Sequence, residues 1–331
     1  MSKWLIAGIA ALSGAAIVFA ATPSPEDVGV MAITARHVKT PPVGIDDPVW
    51  QRAVPVLVPV AGRLEMADVQ GTVSTKVLFT DDELFFLLSW EDPTQSITKE
   101  SWRFDGEKWS HLKGDEDRIA LLFEIDRISQ FSSKSCAVVC HSPADLPRAQ
   151  WKLATRSPAE KGDLWHWKAA RSAPYRHADD GWLTVAGNPS GSYRETGRRF
   201  DTGSGGDVKN ETSDGLRPRY MQDPARKPSV PGFLLMEEAV AISDYSGFKS
   251  GDVIPYRLPV KPDGSRFDVK AESRHKDGRW TVMLHRKLDT GRDDDVVFDV
   301  RKRFSFAIAV FDDSGADHSK ATRSLSLVFQ R

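Results

Sequence analysis

Apolar and polar side chains alternate with a period of two through most of this chain, and that period commits it to a fold built from strands. Val73, Thr75, Val77 and Phe79 occupy every second position. After Asp81-Asp82, Leu84, Phe86, Leu88 and Trp90 do the same, which predicts a hairpin. The pattern returns at Ile119, Leu121, Phe123 and Ile125, at Trp280, Val282 and Leu284, at Phe304, Phe306, Ile308 and Val310, and at Leu325, Leu327 and Phe329. Asp263-Gly264 and Asp277-Gly278 supply turn chemistry between such runs. Few windows carry a helical stripe. The expectation is a mainly β chain with little helix: one antiparallel β-sandwich over residues 36–331, with long loops.

Two stretches break the strand period. Residues 127–185 hold both cysteines and four tryptophans, and residues 187–231 are rich in Gly, Ser, Pro, Arg and Asp. Loops of that length inside one domain are usually functional or disordered. No internal repeat is visible.

At the N-terminus, Lys3 precedes an apolar run from Trp4 to Ala21 that ends at Thr22-Pro23-Ser24-Pro25. A charged start, an apolar stretch and small residues at Val18 and Ala20 describe a secretory signal over 1–21, followed by a linker over 22–35. The run is also near the minimum length of a membrane anchor. Either way the domain is expected outside the cytoplasm, in the periplasm, touching a membrane only if the segment stays uncleaved. The chain has 45 basic and 46 acidic residues. Without a basic excess it is not expected to bind nucleic acid.

The chemistry is expected at Cys136-Ala137-Val138-Val139-Cys140-His141, which holds the only two cysteines. A c-type haem is attached by thioethers from two Cys, and the His after the second binds iron; the usual signature is Cys-x-x-Cys-His. The spacing here is one residue longer, so the extra residue is expected to bulge within a loop. A Cys136–Cys140 disulfide and half of a zinc site are the other readings. Zinc needs four ligands and no second Cys pair exists; a disulfide does not call for the neighbouring His. One haem c is therefore preferred, with His141 as proximal ligand.

A second axial ligand must be His, Met or Lys. His166, between Trp165 and Trp167, is the first candidate and Met221 the alternative. Trp165, Trp167 and Tyr220 are expected as apolar pocket walls. His111, His177, His275, His285 and His318 sit in polar contexts and are expected to be solvated or bonded to loops.

Several motifs in order resemble a known family. Asp46-Asp47-Pro48-Val49-Trp50, Asp117-Arg118-Ile119-Ala120, Asp163-Leu164-Trp165-His166-Trp167-Lys168-Ala169-Ala170-Arg171, Leu288-Asp289-Thr290-Gly291, Asp294-Asp295-Val296 and Phe306 to Asp312 are together similar to the haem-binding domain of the ethylbenzene dehydrogenase γ subunit. That group is related to the cytochrome c-552/DMSO reductase-like haem-binding domains. The resemblance covers residues 36–330. It implies a β-sandwich that holds one haem and passes electrons to or from a molybdopterin oxidoreductase. Founding members hold a b-type haem through Met and Lys without thioethers; this sequence departs by offering Cys-Cys-His and looks like a c-type variant.

The expected function is a periplasmic c-type cytochrome carrying single electrons in a respiratory or molybdoenzyme-linked chain. It is expected to be an electron-transfer protein rather than an enzyme. Its redox partners would be proteins such as a molybdopterin oxidoreductase, in whose complex it would be a subunit, or a membrane quinol-oxidising cytochrome. The competing class is an exported carbohydrate-binding module of the family-9 sandwich type, suggested by Ile45 to Trp50, with exposed Trp for sugar stacking and a Cys136–Cys140 disulfide. No nucleophile elbow or two-histidine zinc motif supports a hydrolase.

Overall fold

The computed structural model describes residues 29–331 except 63–69, 141–146, 148–149, 191–192, 228–231 and 316–317. The expected export segment and His141 lie outside the described residues. Among the described residues no helix is long and apolar enough to cross a membrane.

The alternating runs become strands with the expected inward faces. Gln70–Phe79 and Glu83–Glu91 form an antiparallel hairpin in which Phe79 faces Leu84. Lys270–His275 and Arg279–Lys287 form another, joined by Asp277-Gly278. Both turn residues have positive φ, 54° and 67°, as a right-twisted two-residue turn requires. Most strands join one 14-stranded sheet that folds over itself. Its layers bury one main core from Val73, Val77, Phe86, Trp90, Leu121, Phe123, Trp165, Trp167, Trp280, Phe306 and Leu327, among others. A sheet becomes a two-layer sandwich in this way because each layer has one apolar face to hide.

Two features depart from the expectation. The segment read as a linker already contains the strand Val30–His37, with Ile33 and Ala35 fully buried. That strand runs parallel to both Ser324–Gln330 and Gln70–Phe79, so the sheet is not purely antiparallel. A pairing between the two ends of a chain leaves no local mark in sequence. The stretch 127–185 is also not all loop. Lys161–Lys168 is a strand between Arg118–Asp126 and Gly181–Ser190, and every residue of it except Lys161 is buried. A strand covered on both faces has no reason to alternate. Behind it, the long loop region includes the hairpin Gly181–Ser190 and Tyr193–Phe200.

One buried ion cluster ties this strand to the rest. The Arg286 guanidinium donates to Asp163 at 2.7 Å, to Asp180 at 3.1 Å and to Asp295 at 2.6 Å, above the Trp165 ring. Burial opposes the charge on Arg286, but its carboxylate neighbours outweigh that and raise its pKa. The carboxylates outnumber the cation. Burial, then repulsion by Asp294, Asp295 and Asp163, pushes the neighbouring Asp201 up to about 8.

Candidate functional site

Facing away from the main core, Arg118–Asp126 and Phe304–Phe311 carry a second apolar surface: Ala120 and Leu122 on one strand, Ala307, Ala309 and Phe311 on the other. The two strands pair antiparallel, with Ala120 opposite Ala309. Small side chains there leave a shallow trough, and Leu164 and Leu183 extend it. The segment after Arg118–Asp126 turns over this surface. Phe131, buried to 1% exposure, anchors a short helix, Phe131–Lys134, which continues as the 3-10 turn Ser135–Val138.

That helical path settles the stretched cysteine spacing. The Val139 and Cys140 amides both donate to the Cys136 carbonyl, at 3.0 and 2.8 Å. The bond from Cys140 is an α-helical i to i+4 link, and residues four apart in such a turn lie on one side. The extra residue therefore does not bulge; it completes a turn, and both cysteines line the same cleft. The cleft has a volume of about 110 Å3 and is open at its mouth.

His166 reaches this cleft from the strand Lys161–Lys168. It is buried to 5% exposure and its ring stacks on Phe311 at 5.4 Å. Neither ring nitrogen has a hydrogen-bond partner among the described residues, although buried polar atoms almost always have one. Burial, then the nearby Arg198, Lys168 and Arg118, holds its pKa well below the usual imidazole range. A neutral imidazole with an uncommitted lone pair is the form that binds a transition metal.

Other expected site residues lie away from this cleft. Trp165 and Trp167 do not line the cleft. They alternate with His166, so they project to the opposite face and lie fully buried in the main core. Tyr220 and Met221 are also elsewhere, on the strand Tyr220–Gln222 paired with Ala239–Ala241. Met221 packs on a separate cluster of Trp102, Ile254 and Tyr256.

Sequence reasoning missed other residues. His318 is 4% exposed rather than solvated; its Nε2 lies 3.9 Å from Cys140 Sγ and its ring meets Phe311 at 4.6 Å. Two arginines flank the cleft. Arg118 pairs with Asp115, whereas Arg198 forms no ion pair with any described residue, and burial pushes its pKa down to about 10. The signal for these was present: Ala120, Leu122, Ala307, Ala309 and Phe311 are apolar at the positions the alternation assigns to the outer face.

The cleft thus gathers two thiols, an unpartnered imidazole, a second imidazole and two guanidiniums around apolar walls. The family model described as ethylbenzene dehydrogenase matches residues 47–323. The chain belongs to that family. Membership associates this ethylbenzene dehydrogenase-family chain with an oxidoreductase. No curated protein matches the sequence. Among solved structures, a family 9 carbohydrate-binding module from Caldicellulosiruptor kristjanssonii with cellotriose is 8% identical, with 91% of this chain and 95% of that one covered and a TM-score of 0.39. The same kind of module from that organism with glucose is 9% identical, covers 91% and 97%, and has a TM-score of 0.37. A putative carbohydrate-binding protein from Bacteroides uniformis is 8% identical, covers 90% and 99%, and also scores 0.37.

Proposed function

We propose that this ethylbenzene dehydrogenase-family protein is a periplasmic c-type cytochrome that carries single electrons to or from a molybdoenzyme or another respiratory oxidoreductase. The observation that carries the reading is the convergence of Cys136, Cys140 and an unpartnered His166 on one apolar cleft. A haem bound there supplies a one-electron couple between ferric and ferrous iron.

The protein's own residues fit that group. Cys136 and Cys140, on one face of a helical turn, present their Sγ atoms for thioether bonds to the two vinyl groups. His141, next in the chain after Cys140, would be one iron ligand, and His166, kept neutral, would offer a second nitrogen. Two protein ligands would leave substrate no place on the metal, which suits electron transfer rather than catalysis. Arg198, without a carboxylate of its own, and Arg118 fit the two acidic propionate groups. The cleft is smaller than a porphyrin, so a bound haem would remain partly accessible to a redox partner.

Haem staining on a denaturing gel tests the attachment, using the chain expressed in cells equipped for cytochrome maturation. A stained band at full chain mass that disappears in Cys136→Ala and in Cys140→Ala is expected. A colourless parent chain, with Cys136 and Cys140 joined to each other, overturns the reading. For the distal ligand, His166→Ala is expected to convert a low-spin spectrum to high-spin and His318→Ala to leave it low-spin. The reverse pattern assigns the position to His318.

A further inference from the structure

On the other side of the same strands lies a second cleft, of about 420 Å3, that the electron-carrier reading does not use. Two carboxylates, Asp92 and Asp312, line it, and Asp117 lies beside them. Asp92 follows the strand Glu83–Glu91, Asp117 precedes Arg118–Asp126 and Asp312 follows Phe304–Phe311. One oxygen from each lies within 4.8 Å of the other two. We propose that Asp92, Asp117 and Asp312 bind a hard divalent cation of the calcium class at this edge of the sandwich.

Acidic residues alone do not make a site, and two further observations point to a ligand here. Asp92 is 2% exposed and lines the cleft; its Oδ1 accepts from the Thr94 amide and hydroxyl, but its Oδ2 has no partner among the described residues. The indole N–H of Trp90, which lines the cleft at 4% exposure, likewise has no acceptor among them. A buried carboxylate oxygen and a buried donor in one cleft are what a cation with an oxygen-bearing shell satisfies. No Lys or Arg among the described residues forms an ion pair with any of the three carboxylates. Asp117 instead accepts from the Trp280 indole at 2.9 Å and from the Ser96 and Asp313 amides at 2.7 and 3.1 Å. Burial pushes Asp117 up to about 6, and burial with Asp92 beside it raises Asp312, as expected for charges lacking a counter-ion.

Calcium tolerates an irregular oxygen shell at about 2.3–2.6 Å, whereas magnesium demands near-ideal octahedral geometry at about 2.0–2.1 Å, so an irregular set of carboxylates from three separate segments favours calcium. Asp312 is exposed, which leaves the ion a route in and room for water in its shell.

Trp280 touches one of the ligands, so terbium is a direct probe: indole excitation should produce sensitised terbium emission from the chelator-stripped full-length protein. Calcium is expected to displace terbium at lower concentration than magnesium. Asp312→Asn, at an exposed position that does not threaten the fold, and Asp92→Asn are each expected to weaken terbium binding about tenfold or more. Asp294→Asn, in the separate acidic cluster beside Arg286, is expected to bind as the parent does. Absence of sensitised emission, preference for magnesium, or loss of binding in Asp294→Asn with none in Asp312→Asn overturns the proposal. The readout is independent of haem, so a colourless protein still tests it.

Discussion

Asp117 and Arg118 are neighbours in the chain, as are Phe311 and Asp312, yet each pair is divided between two places of opposite chemistry. Arg118 and Phe311 line the cysteine cleft, with nitrogen and sulfur donors, apolar walls and two guanidiniums. Asp117 and Asp312 belong to the acidic cluster with Asp92, whose oxygen donors pair with no cation among the described residues. The two strands pair Phe311 with Arg118, so both divisions occur at one rung of the sheet. A one-residue step along a strand reverses the face, and the difference teaches that one rung can hold a soft-donor site and a hard-donor site apart. Imidazole nitrogen suits the iron of the proposed haem, and hard oxygens suit the proposed calcium.

The largest expected effect breaks one site and spares the other. Cys136→Ala should remove all covalently held pigment while terbium binding at Asp92, Asp117 and Asp312 stays within about twofold of the parent; parallel loss of both would mean that the sites share one folding unit. Next in size is Arg286→Met, which strands Asp163, Asp180 and Asp295 without a counter-cation and should cost about 3–5 kcal/mol in urea unfolding. A loss under about 1 kcal/mol would show that these carboxylates are neutral in the folded chain.

Smaller effects sharpen the contrast in charge. Arg198→Gln removes a cation beside the proposed haem, favours the more positive ferric state and should lower the midpoint potential by less than about 60 mV, a tenfold change in a one-electron equilibrium; an unchanged potential would place Arg198 away from the propionates. The smallest effect is one of pH. Asp201 keeps its proton up to about pH 8 when folded but only to about 3.9 when unfolded. The folded chain therefore binds the extra proton between those values, and this group's contribution is complete below about pH 4 and lost as pH rises through about 8. Asp201→Asn should flatten that part of the melting-temperature profile between about pH 5 and about pH 9, and an unchanged slope would assign it to another carboxyl.

Much of the scaffold was legible. The runs ending at Phe79, Trp90 and Val310 became strands with the faces their alternation gave them, because burial on one face imposes a period of two. The strand through Trp165, His166 and Trp167 was not legible as such, since cover on both faces erases the period, and with it went the direction in which each ring points. Two indoles flanking a histidine suggested a common pocket, but successive strand residues point apart.

What the sequence determined by itself is the strand period, the turn at Asp277-Gly278 and the presence of two thiols beside a histidine, all of which are set by residues near one another in the chain. What only the tertiary structure decided is which residues share a cleft: Cys140 with His318, Cys136 with His166, and Asp92 with Asp312. Those partners come from segments well separated in sequence, and their meeting depends on how the sheet folds over itself, which no local pattern encodes.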